Sequence, residues 1–282
     1  MFIIIPVIVM ILFGVGMAIM LVVASRKFHV EENPLIEEVL EALPGANCGG
    51  CGFAGCRGFA EEKVKNPEGE AFCPPGGAKV CAAIAGILGV AVTSQKPLVA
   101  RMKCAGTNDV SAMVGDYEGI QDCRAAMIVY PGQKICPYGC IGLGSCMKAC
   151  QFGAITLANG IARIDEDKCV GCRACVAACP KHLIEMLPKD CRIYVACSSN
   201  DRGGQVRTAC SAGCIGCMQC QKTCPVGAIT VTEFLARVDP EKCINCGKCV
   251  AVCPVQVIQD LREAGTIDAP ADNIREGQPA SV

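Results

Sequence analysis

The sequence has few aromatic residues and almost no histidine. Tryptophan is absent, and the 282 residues include two histidines, eight phenylalanines and four tyrosines. Charge is nearly balanced, with 26 basic against 27 acidic residues, whereas nucleic-acid-binding proteins carry a clustered basic excess. The hydrophobic fraction of 52% counts cysteine and so overstates the hydrocarbon available for packing. The composition therefore argues against a nucleic-acid partner and predicts small units held together by disulfides or metal.

Cysteine is the abundant residue, with 26 in 282 positions. Its chemistry depends on the cellular compartment, which the first residues indicate. Residues 2–24 carry no charged side chain and reach about 34 Å as a helix, enough to span a bilayer. A basic segment before the run and an A-x-A-like cleavage site are both missing, which disfavours a secretory signal. The sequence therefore predicts an uncleaved single-pass membrane anchor.

Arg26 and Lys27 follow the apolar run directly, whereas only the α-amino group precedes it. Because positive residues stay on the cytoplasmic side, we expect the bulk of the chain in the cytoplasm. Thiols are kept reduced there, so dense cysteine patterns favour metal over disulfides.

The second half of the chain is an internal repeat. Nine cysteines recur at an offset of 74 residues without a gap, which indicates duplication of a structural unit. The segments around AIT and AR[IV]D in each copy predict two short strands joined by a tight turn. The cysteine pairs are Cys123/Cys197, Cys136/Cys210, Cys140/Cys214, Cys146/Cys220, Cys150/Cys224, Cys169/Cys243, Cys172/Cys246, Cys175/Cys249 and Cys179/Cys253.

The second copy contains two complete bacterial-ferredoxin runs, each C-x2-C-x2-C-x3-C-P. In such runs three thiolates hold one iron–sulfur cube and the fourth ligates the neighbouring cube. A structural zinc site needs only two separated cysteine pairs around one ion, whereas these runs contain more closely spaced cysteines than such a site uses. The predicted ligand sets are therefore Cys214, Cys217, Cys220 with Cys253, and Cys243, Cys246, Cys249 with Cys224.

The first copy departs from this pattern at one position. Its complete run predicts a cluster held by Cys169, Cys172, Cys175 and, from the other run, Cys150. In that other run Leu143 stands where the second copy has Cys217, and leucine cannot ligate iron. Three outcomes are open for Cys140, Cys146 and Cys179: Cys136 as fourth ligand, which we favour, a [3Fe–4S] cluster, or an empty site. One observation argues against Cys136: its counterpart Cys210 is present in the second copy, where no ligand is missing.

A further set precedes the repeats: Cys48, Cys51, Cys56 and Cys73, in a glycine-rich segment that lets the backbone approach sulfur. The same segment matches G-x-G-x-x-G at residues 50–55, but a helix-like stretch and not a strand precedes it, which argues against nucleotide binding. The total is about five [4Fe–4S] clusters. Six cysteines are left over as buried thiols, or as partial ligands of a sixth cluster drawing on Cys104, Cys123 and others: Cys81, Cys104, Cys123, Cys191, Cys197 and Cys210. We expect His29 and His182 at the surface.

The predicted fold class is α+β. It comprises a transmembrane helix, a small four-cysteine iron–sulfur domain and two tandem ferredoxin-like domains, each with two [4Fe–4S] clusters. The predicted boundaries are an anchor at 1–25, the four-cysteine domain at 26–90, a connector with extra cysteines at 91–133, ferredoxin-like domains at 134–190 and 191–265, and a disordered tail at 266–282.

This order of parts resembles the B subunits of Rnf complexes, the ion-translocating ferredoxin:NAD⁺ oxidoreductases of bacterial membranes. The resemblance rests on the N-terminal apolar run, the CGGCGFAGC segment and the ferredoxin repeats with GCIGLGSC, and two ferredoxin units make it similar to the longer, clostridial-type form. It implies a translocase subunit that accepts electrons from soluble ferredoxin and relays them to other Rnf subunits, which bind flavin and NAD.

The residues themselves predict an electron carrier with no substrate chemistry of its own, because no general base, nucleophile or open metal site is evident. Two other hypotheses are a membrane-tethered polyferredoxin that serves other redox enzymes and a zinc or metal-storage scaffold. Bound clusters add negative charge, so docking of an acidic ferredoxin predicts a basic patch. Its candidate residues are Lys181, Lys189, Arg192, Arg202, Arg207 and Lys222.

Overall fold

The structure, a computed structural model, describes residues 4–27, 33–91, 96–130 and 132–261. Those ranges contain both helices and short strands, which confirms the predicted α+β class. The helices are α1 (Ile4–Lys27), α2 (Pro34–Ala42), α3 (Gly55–Lys65), α4 (Gly77–Leu88), α5 (Cys123–Val129), α6 (Ser145–Lys148), α7 (Ala174–Ala178), α8 (Gly203–Ala209), α9 (Gln219–Thr223) and α10 (Lys248–Ala251). The strands are β1 (Leu98–Met102), β2 (Ile155–Ala158), β3 (Ile161–Ile164), β4 (Ile184–Pro188), β5 (Ile193–Val195), β6 (Ile229–Thr232), β7 (Leu235–Val238) and β8 (Ile258–Asp260).

The N-terminal apolar run forms one continuous helix, α1, whose last turn carries Arg26 and Lys27. Its length and composition allow it to cross a membrane over Val7–Lys27, and none of that span is buried against the rest of the molecule. An apolar helix exposed along its whole length has its surface in lipid or against a partner, since water would penalise it. The predicted tail and His29 lie outside the described residues.

Helices α2, α3 and α4 form a small N-terminal unit. Asn33 is the N-cap of α2, where its side chain accepts a hydrogen bond from the Leu35 N–H at 3.0 Å, and Pro34 is the first residue of the helix. The apolar face of α2 buries Val39 against Phe59 of α3. This compact core gives the cysteine-rich loop between α2 and α3 a rigid base.

Each repeat contains the predicted hairpin. β2 pairs antiparallel with β3, and β6 with β7, with four residue pairs in each ladder. The turns require left-handed backbone at both central positions, and Asn159 and Gly160 supply it in the first repeat. The second repeat uses Glu233 and Phe234 in the same conformation, at φ values of 49° and 62°.

A second two-stranded sheet in each repeat includes a strand from upstream. β1 pairs with β4, with Met102 opposite Ile184, and β5 pairs with β8, with Val195 opposite Ile258. The predicted connector at 91–133 therefore contributes a strand to the sheet of the first ferredoxin-like unit. Its ladder of backbone hydrogen bonds with β4 makes β1 an integral part of that unit.

Candidate iron–sulfur cluster sites

The four cysteines predicted in the N-terminal unit line one cavity of about 300 Å³: Cys48, Cys51, Cys56 and Cys73. Asn47 closes the loop, because its Oδ1 accepts the N–H of Cys56 at 2.8 Å where α3 begins. Burial raises the pKa of the Cys73 thiol to about 11, and the charges of the other three cysteines add to that shift. The four thiols of this cavity therefore lie close enough for electrostatic interaction.

The first ferredoxin-like unit has one cavity of about 330 Å³ lined by Cys150, Cys169, Cys172 and Cys175. Cys150 comes from the other run, so the structure brings the members of this expected crossed set together at one cavity. The N–H of Ala100 in β1 donates to Sγ of Cys169 at 3.4 Å. Burial raises the pKa of Cys175 to about 11, with the charges of Cys169, Cys172 and Cys150 acting in the same direction.

The second cavity of this unit, of about 380 Å³, departs from the expected ligand set. It is lined by Cys140, Cys146 and Cys179, as expected, and by Cys123 in place of Cys136. Burial raises the pKa of Cys146 to about 12, followed by the charges of Cys140, Cys123 and Cys179. Cys136, the fourth ligand favoured from the sequence, lines a different cavity.

Local hydrogen bonds position Cys123 at the first turn of α5. The N–H of Cys123 donates to Oγ of Ser145 at 2.7 Å, and Ser145 donates to Asp122 at 2.9 Å. Asp122 is also the N-cap of α5, and its pKa is lowered chiefly by the hydrogen bond from Ser145. Since Ser145 precedes Cys146, these bonds link Cys123 directly to the ferredoxin run.

The second unit brings cysteines of both expected sets into one hydrophobic core. Burial raises the pKa of Cys220 to about 11, and the charges of Cys214, Cys217 and Cys253 contribute, which places the crossed cysteine beside its run. Cys249 shows the same effect, with burial first and Cys243 and Cys246 as neighbouring charges.

Cys224, the remaining cysteine of the second set, packs against the same apolar core of that unit. Its Sγ accepts the N–H of Ala228 at 3.2 Å.

The donor chemistry of these cavities fits iron–sulfur clusters. Their linings combine four cysteine thiols with apolar side chains and backbone N–H groups, the environment that sets cluster stability and potential. Across the part of the chain that the structure describes, no group of three or more histidine, cysteine or acidic side chains is arranged to hold a single metal ion. His182 is exposed.

Comparison with known proteins also indicates iron–sulfur domains in these segments. A family of 4Fe–4S dicluster domains matches residues 139–183 and 213–257, and a family of putative Fe–S cluster domains matches residues 43–75. The B subunit of an ion-translocating oxidoreductase complex from Methanosarcina acetivorans is 43% identical over 230 residues, which is 81% of this chain and 87% of that protein.

Two bacterial relatives are nearly as similar. The B subunit of a Na⁺-translocating ferredoxin:NAD⁺ oxidoreductase complex from Acetobacterium woodii is 40% identical, over 82% of this chain and 68% of its own length. Its counterpart in a proton-translocating ferredoxin:NAD⁺ oxidoreductase complex from Clostridium ljungdahlii is 39% identical over 82% of each chain. The chain belongs to the family of Rnf B subunits. The resemblance inferred from its motifs is thereby confirmed, as are its multiple 4Fe–4S domains.

Cys123 is the residue of this Rnf B subunit that sequence reasoning missed. The 74-residue offset paired it with Cys197, and the sequence left it among the surplus cysteines, as a buried thiol or a partial ligand of a sixth cluster. A weak signal was present, because Asp122 is a good N-cap and places Cys123 at the start of a helix. Because Leu143 replaces a cysteine, the set of Cys140, Cys146 and Cys179 lacks a fourth thiol. Only the fold shows which of the remaining cysteines lies near that set.

Proposed function

We propose that this Rnf B subunit accepts electrons from reduced ferredoxin and relays them to flavin- and NAD-binding subunits of its complex. The family supports this proposal, since two of its relatives are named for ferredoxin:NAD⁺ oxidoreduction. The chain's own contribution is to hold redox groups in a series of thiol-lined cavities.

The geometry and the spacing support five proposed ligand sets. They are Cys48, Cys51, Cys56 and Cys73; Cys150, Cys169, Cys172 and Cys175; Cys123, Cys140, Cys146 and Cys179; Cys214, Cys217, Cys220 and Cys253; and Cys224, Cys243, Cys246 and Cys249. With Cys123 as fourth ligand, the first unit holds a [4Fe–4S] cluster where Leu143 replaces a cysteine, and the count is five cubes.

Iron–sulfur clusters bound in these sets would supply one-electron redox chemistry with little structural change. The chain provides the thiolates, the N–H donors and a dry surrounding. The N–H of Leu183 donates to Sγ of Cys179 at 3.4 Å, as that of Ala228 does to Cys224. Such bonds to ligand sulfur stabilise negative charge and raise the reduction potential.

The observation that carries the proposal is direct contact between sites of different units. The backbone of Gly50, in the N-terminal loop, lies against Cys172 of the first ferredoxin-like unit. The charge of Cys48 is among those that, after burial, raise the pKa of Cys172. Two predicted ligand sets thus meet across a unit boundary, as an electron relay requires.

We further propose that α1 anchors the chain with the cluster-bearing units on the cytoplasmic side, where soluble ferredoxin is available. Arg26 and Lys27 at the end of α1 support this orientation.

The test is anaerobic purification of the full chain with its membrane partners, followed by iron and acid-labile sulfide assays and anaerobic mixing with reduced ferredoxin. The five sets require at least about 20 irons and as many sulfides. We also expect visible bleaching by ferredoxin and co-purification with flavoproteins. A chain recovered without flavoproteins but reduced by ferredoxin would favour a polyferredoxin, and a zinc-loaded chain without sulfide would overturn the proposal.

A further inference from the structure

A further cavity, of about 440 Å³, lies between the two ferredoxin-like units. It is lined by four cysteines that the proposed function leaves unused: Cys104, Cys136, Cys197 and Cys210. The matched family segments, residues 43–75, 139–183 and 213–257, include none of them. Four convergent thiols thus form a cluster of side chains outside every site described above.

The four thiols are related by the internal repeat of the fold. Cys136 and Cys210 are counterparts at the 74-residue offset. Cys104 and Cys197 each lie two residues after a strand end, Met102 of β1 and Val195 of β5, and those strand ends pair with equivalent residues of the two units.

The relation between Cys104 and Cys197 corresponds to a spacing of 93 residues, the same as from Met102 to Val195. A search at the single offset of 74 residues cannot reveal it. Each repeat therefore supplies two equivalent cysteines to one central cavity. This symmetry also answers why both copies retain the Cys136 and Cys210 positions although only one copy lacks a ligand.

Hydrogen bonds connect this cavity to a predicted ligand set on each side. The N–H of Cys140 donates to Sγ of Cys104 at 3.4 Å, and the N–H of Cys214 donates to Sγ of Cys197 at 3.4 Å. Cys140 and Cys214 are themselves counterparts and belong to the first and second unit respectively. A group bound by these four cysteines would thus be connected to each neighbouring ligand set by a single N–H···Sγ hydrogen bond.

The surroundings suit thiols that bind a shared group. The backbone approaches two of the sulfurs closely at Gly106, where an added Cβ would lie 3.4 Å from Sγ of Cys210 and 3.6 Å from Sγ of Cys104. Cys197 Sγ also accepts the N–H of Ser199 at 3.5 Å. Without a bound group, burial raises the pKa of Cys210 to about 12, and the charges of Cys104, Cys136 and Cys197 add to it.

We propose that Cys104, Cys136, Cys197 and Cys210 hold a sixth iron–sulfur cluster, which joins the two ferredoxin-like units. The proposal rests on the proposed function only in that both assign iron and sulfide to cysteine cavities. It predicts that the relay passes from one repeat to the other through this centre.

Two leftover cysteines provide matched controls. Cys191 is buried, but its Sγ donates to the Ile193 carbonyl at 3.5 Å, outside the central cavity. Cys81 lies in α4 beside Phe59 and Ile84. Both are cysteines of the same chain that line none of the described four-thiol cavities, so their replacement reports only general damage.

The first experiment uses the unaltered full chain, purified anaerobically in detergent and examined by native mass spectrometry. Each [4Fe–4S] cluster adds a fixed mass, so the heaviest species counts the sites even when loading is incomplete. We expect a heaviest species with six clusters, or about 24 irons. A heaviest species with five clusters would overturn the sixth site and leave the proposed function intact, whereas a chain without iron and sulfide would overturn both.

The second experiment assigns the site. In the double variant Cys104→Ser, Cys197→Ser we expect the heaviest species to lose one cluster, about four irons and four sulfides. Cys136→Ser, which leaves both bridging hydrogen bonds in place, should lose the same cluster or one of its irons. The controls Cys81→Ser and Cys191→Ser should keep all six. Retention of six clusters in both the double variant and Cys136→Ser would refute the assignment.

Discussion

The backbone of Gly50 lies against that of Cys172, and no side chain fits between them. A Cβ atom at Gly50 would stand 2.8 Å from both the Cα and the carbonyl oxygen of Cys172. Neither of those atoms belongs to a side chain that could rotate away. The glycine therefore sets how closely the N-terminal unit approaches the first ferredoxin-like unit.

The first prediction follows from this contact. Gly50→Ala should push the loop at residues 169–175 away from the N-terminal unit, at a cost of about 1–3 kcal/mol for overpacking. Hydrogen–deuterium exchange of that loop should therefore become faster, while the iron content stays unchanged. Electron exchange between the two units, followed by anaerobic stopped-flow bleaching, should slow.

The control for this prediction is Gly58→Ala in α3. There an added Cβ would meet its nearest atom, Cβ of Phe53, at 3.7 Å, an ordinary van der Waals distance. We expect normal exchange and normal bleaching. If Gly50→Ala behaved like Gly58→Ala, the contact would have no role in holding the units together.

The second prediction concerns the fourth thiol of the Leu143 site. Cys123→Ser should remove one ligand and convert the cluster to a three-iron form, because three thiolates of the set remain. Oxidised Cys123→Ser protein should then show a three-iron signal in electron paramagnetic resonance that unaltered protein does not show. Absence of that signal, with a full iron count, would exclude Cys123 as a ligand.

A rescue makes this test specific. Leu143 packs against the cluster of Cys123, Ala126 and Ile141, at the position that Cys217 holds in the second unit. Adding Leu143→Cys to Cys123→Ser restores a fourth thiol through the pattern of the other repeat. We expect the three-iron signal to disappear and one iron to return. Leu143→Ala in the same background should not restore it.

The ferredoxin-like hairpins were predictable from the sequence, and most of the proposed ligand sets were already evident there, because the information for both is local. The spacing of three cysteines two residues apart determines a loop around one cube, and the turn between β2 and β3 needs only Asn159 and Gly160. The cap at Asn33 is equally local. Periodicity and spacing suffice where the interacting residues lie within a few positions of each other.

The choice between Cys123 and Cys136 was not predictable, because it depends on contacts between distant segments. Cys123 reaches the first unit through Ser145, 22 positions away, and Cys136 reaches Cys210 across the boundary between repeats. The counterpart of Cys197 is Cys104 and not Cys123, since an insertion between β1 and its cysteine run changes the offset. Strand pairing, which sequence spacing does not reveal, settles these equivalences.

The third prediction concerns the charge near the Leu143 site. Lys134 is buried, with 5% of its surface exposed, and its Nζ donates to the Gly160 carbonyl at 2.8 Å. Its charge opposes the rise that burial causes in the pKa of Cys140. A positive charge favours the more negative reduced state of a nearby cluster, so Lys134→Met should lower the reduction potential there by tens of millivolts, an order-of-magnitude value.

Potentiometric titration monitored by electron paramagnetic resonance measures this shift. Lys65→Met, at an exposed position of α3, is the control and should leave every potential unchanged. A shift of equal size in both variants would show that overall charge, and not the position of Lys134, controls the potential. An increase in potential for Lys134→Met would contradict the electrostatic argument directly.

The basic residues proposed for ferredoxin docking divide into two groups. Lys181 and Arg192 are half-buried, and the Nζ of Lys181 donates to the Gly139 carbonyl at 2.9 Å. Lys189 forms an ion pair with Asp167 at 3.5 Å. The hydrogen bond of Lys181, the ion pair of Lys189 and the partial burial of Arg192 make these three weaker docking candidates. The exposed group is Arg202, Arg207 and Lys222.

The fourth prediction uses the exposed group. Arg202 is the N-cap of α8 and Arg207 lies in its last turn, whereas Val206 of the same helix lines the central cavity. Acidic ferredoxin bound at this face would lie near that cavity, so Arg202→Glu with Arg207→Glu should slow reduction by ferredoxin about tenfold at low salt. The difference from unaltered protein should shrink as ionic strength screens the charges.

Reduction by dithionite, a small donor that needs no docking, should be unaffected. Lys65→Glu supplies the matched reversal on a distant helix; equal ferredoxin rates in both variants at every salt concentration would exclude α8 as the docking face.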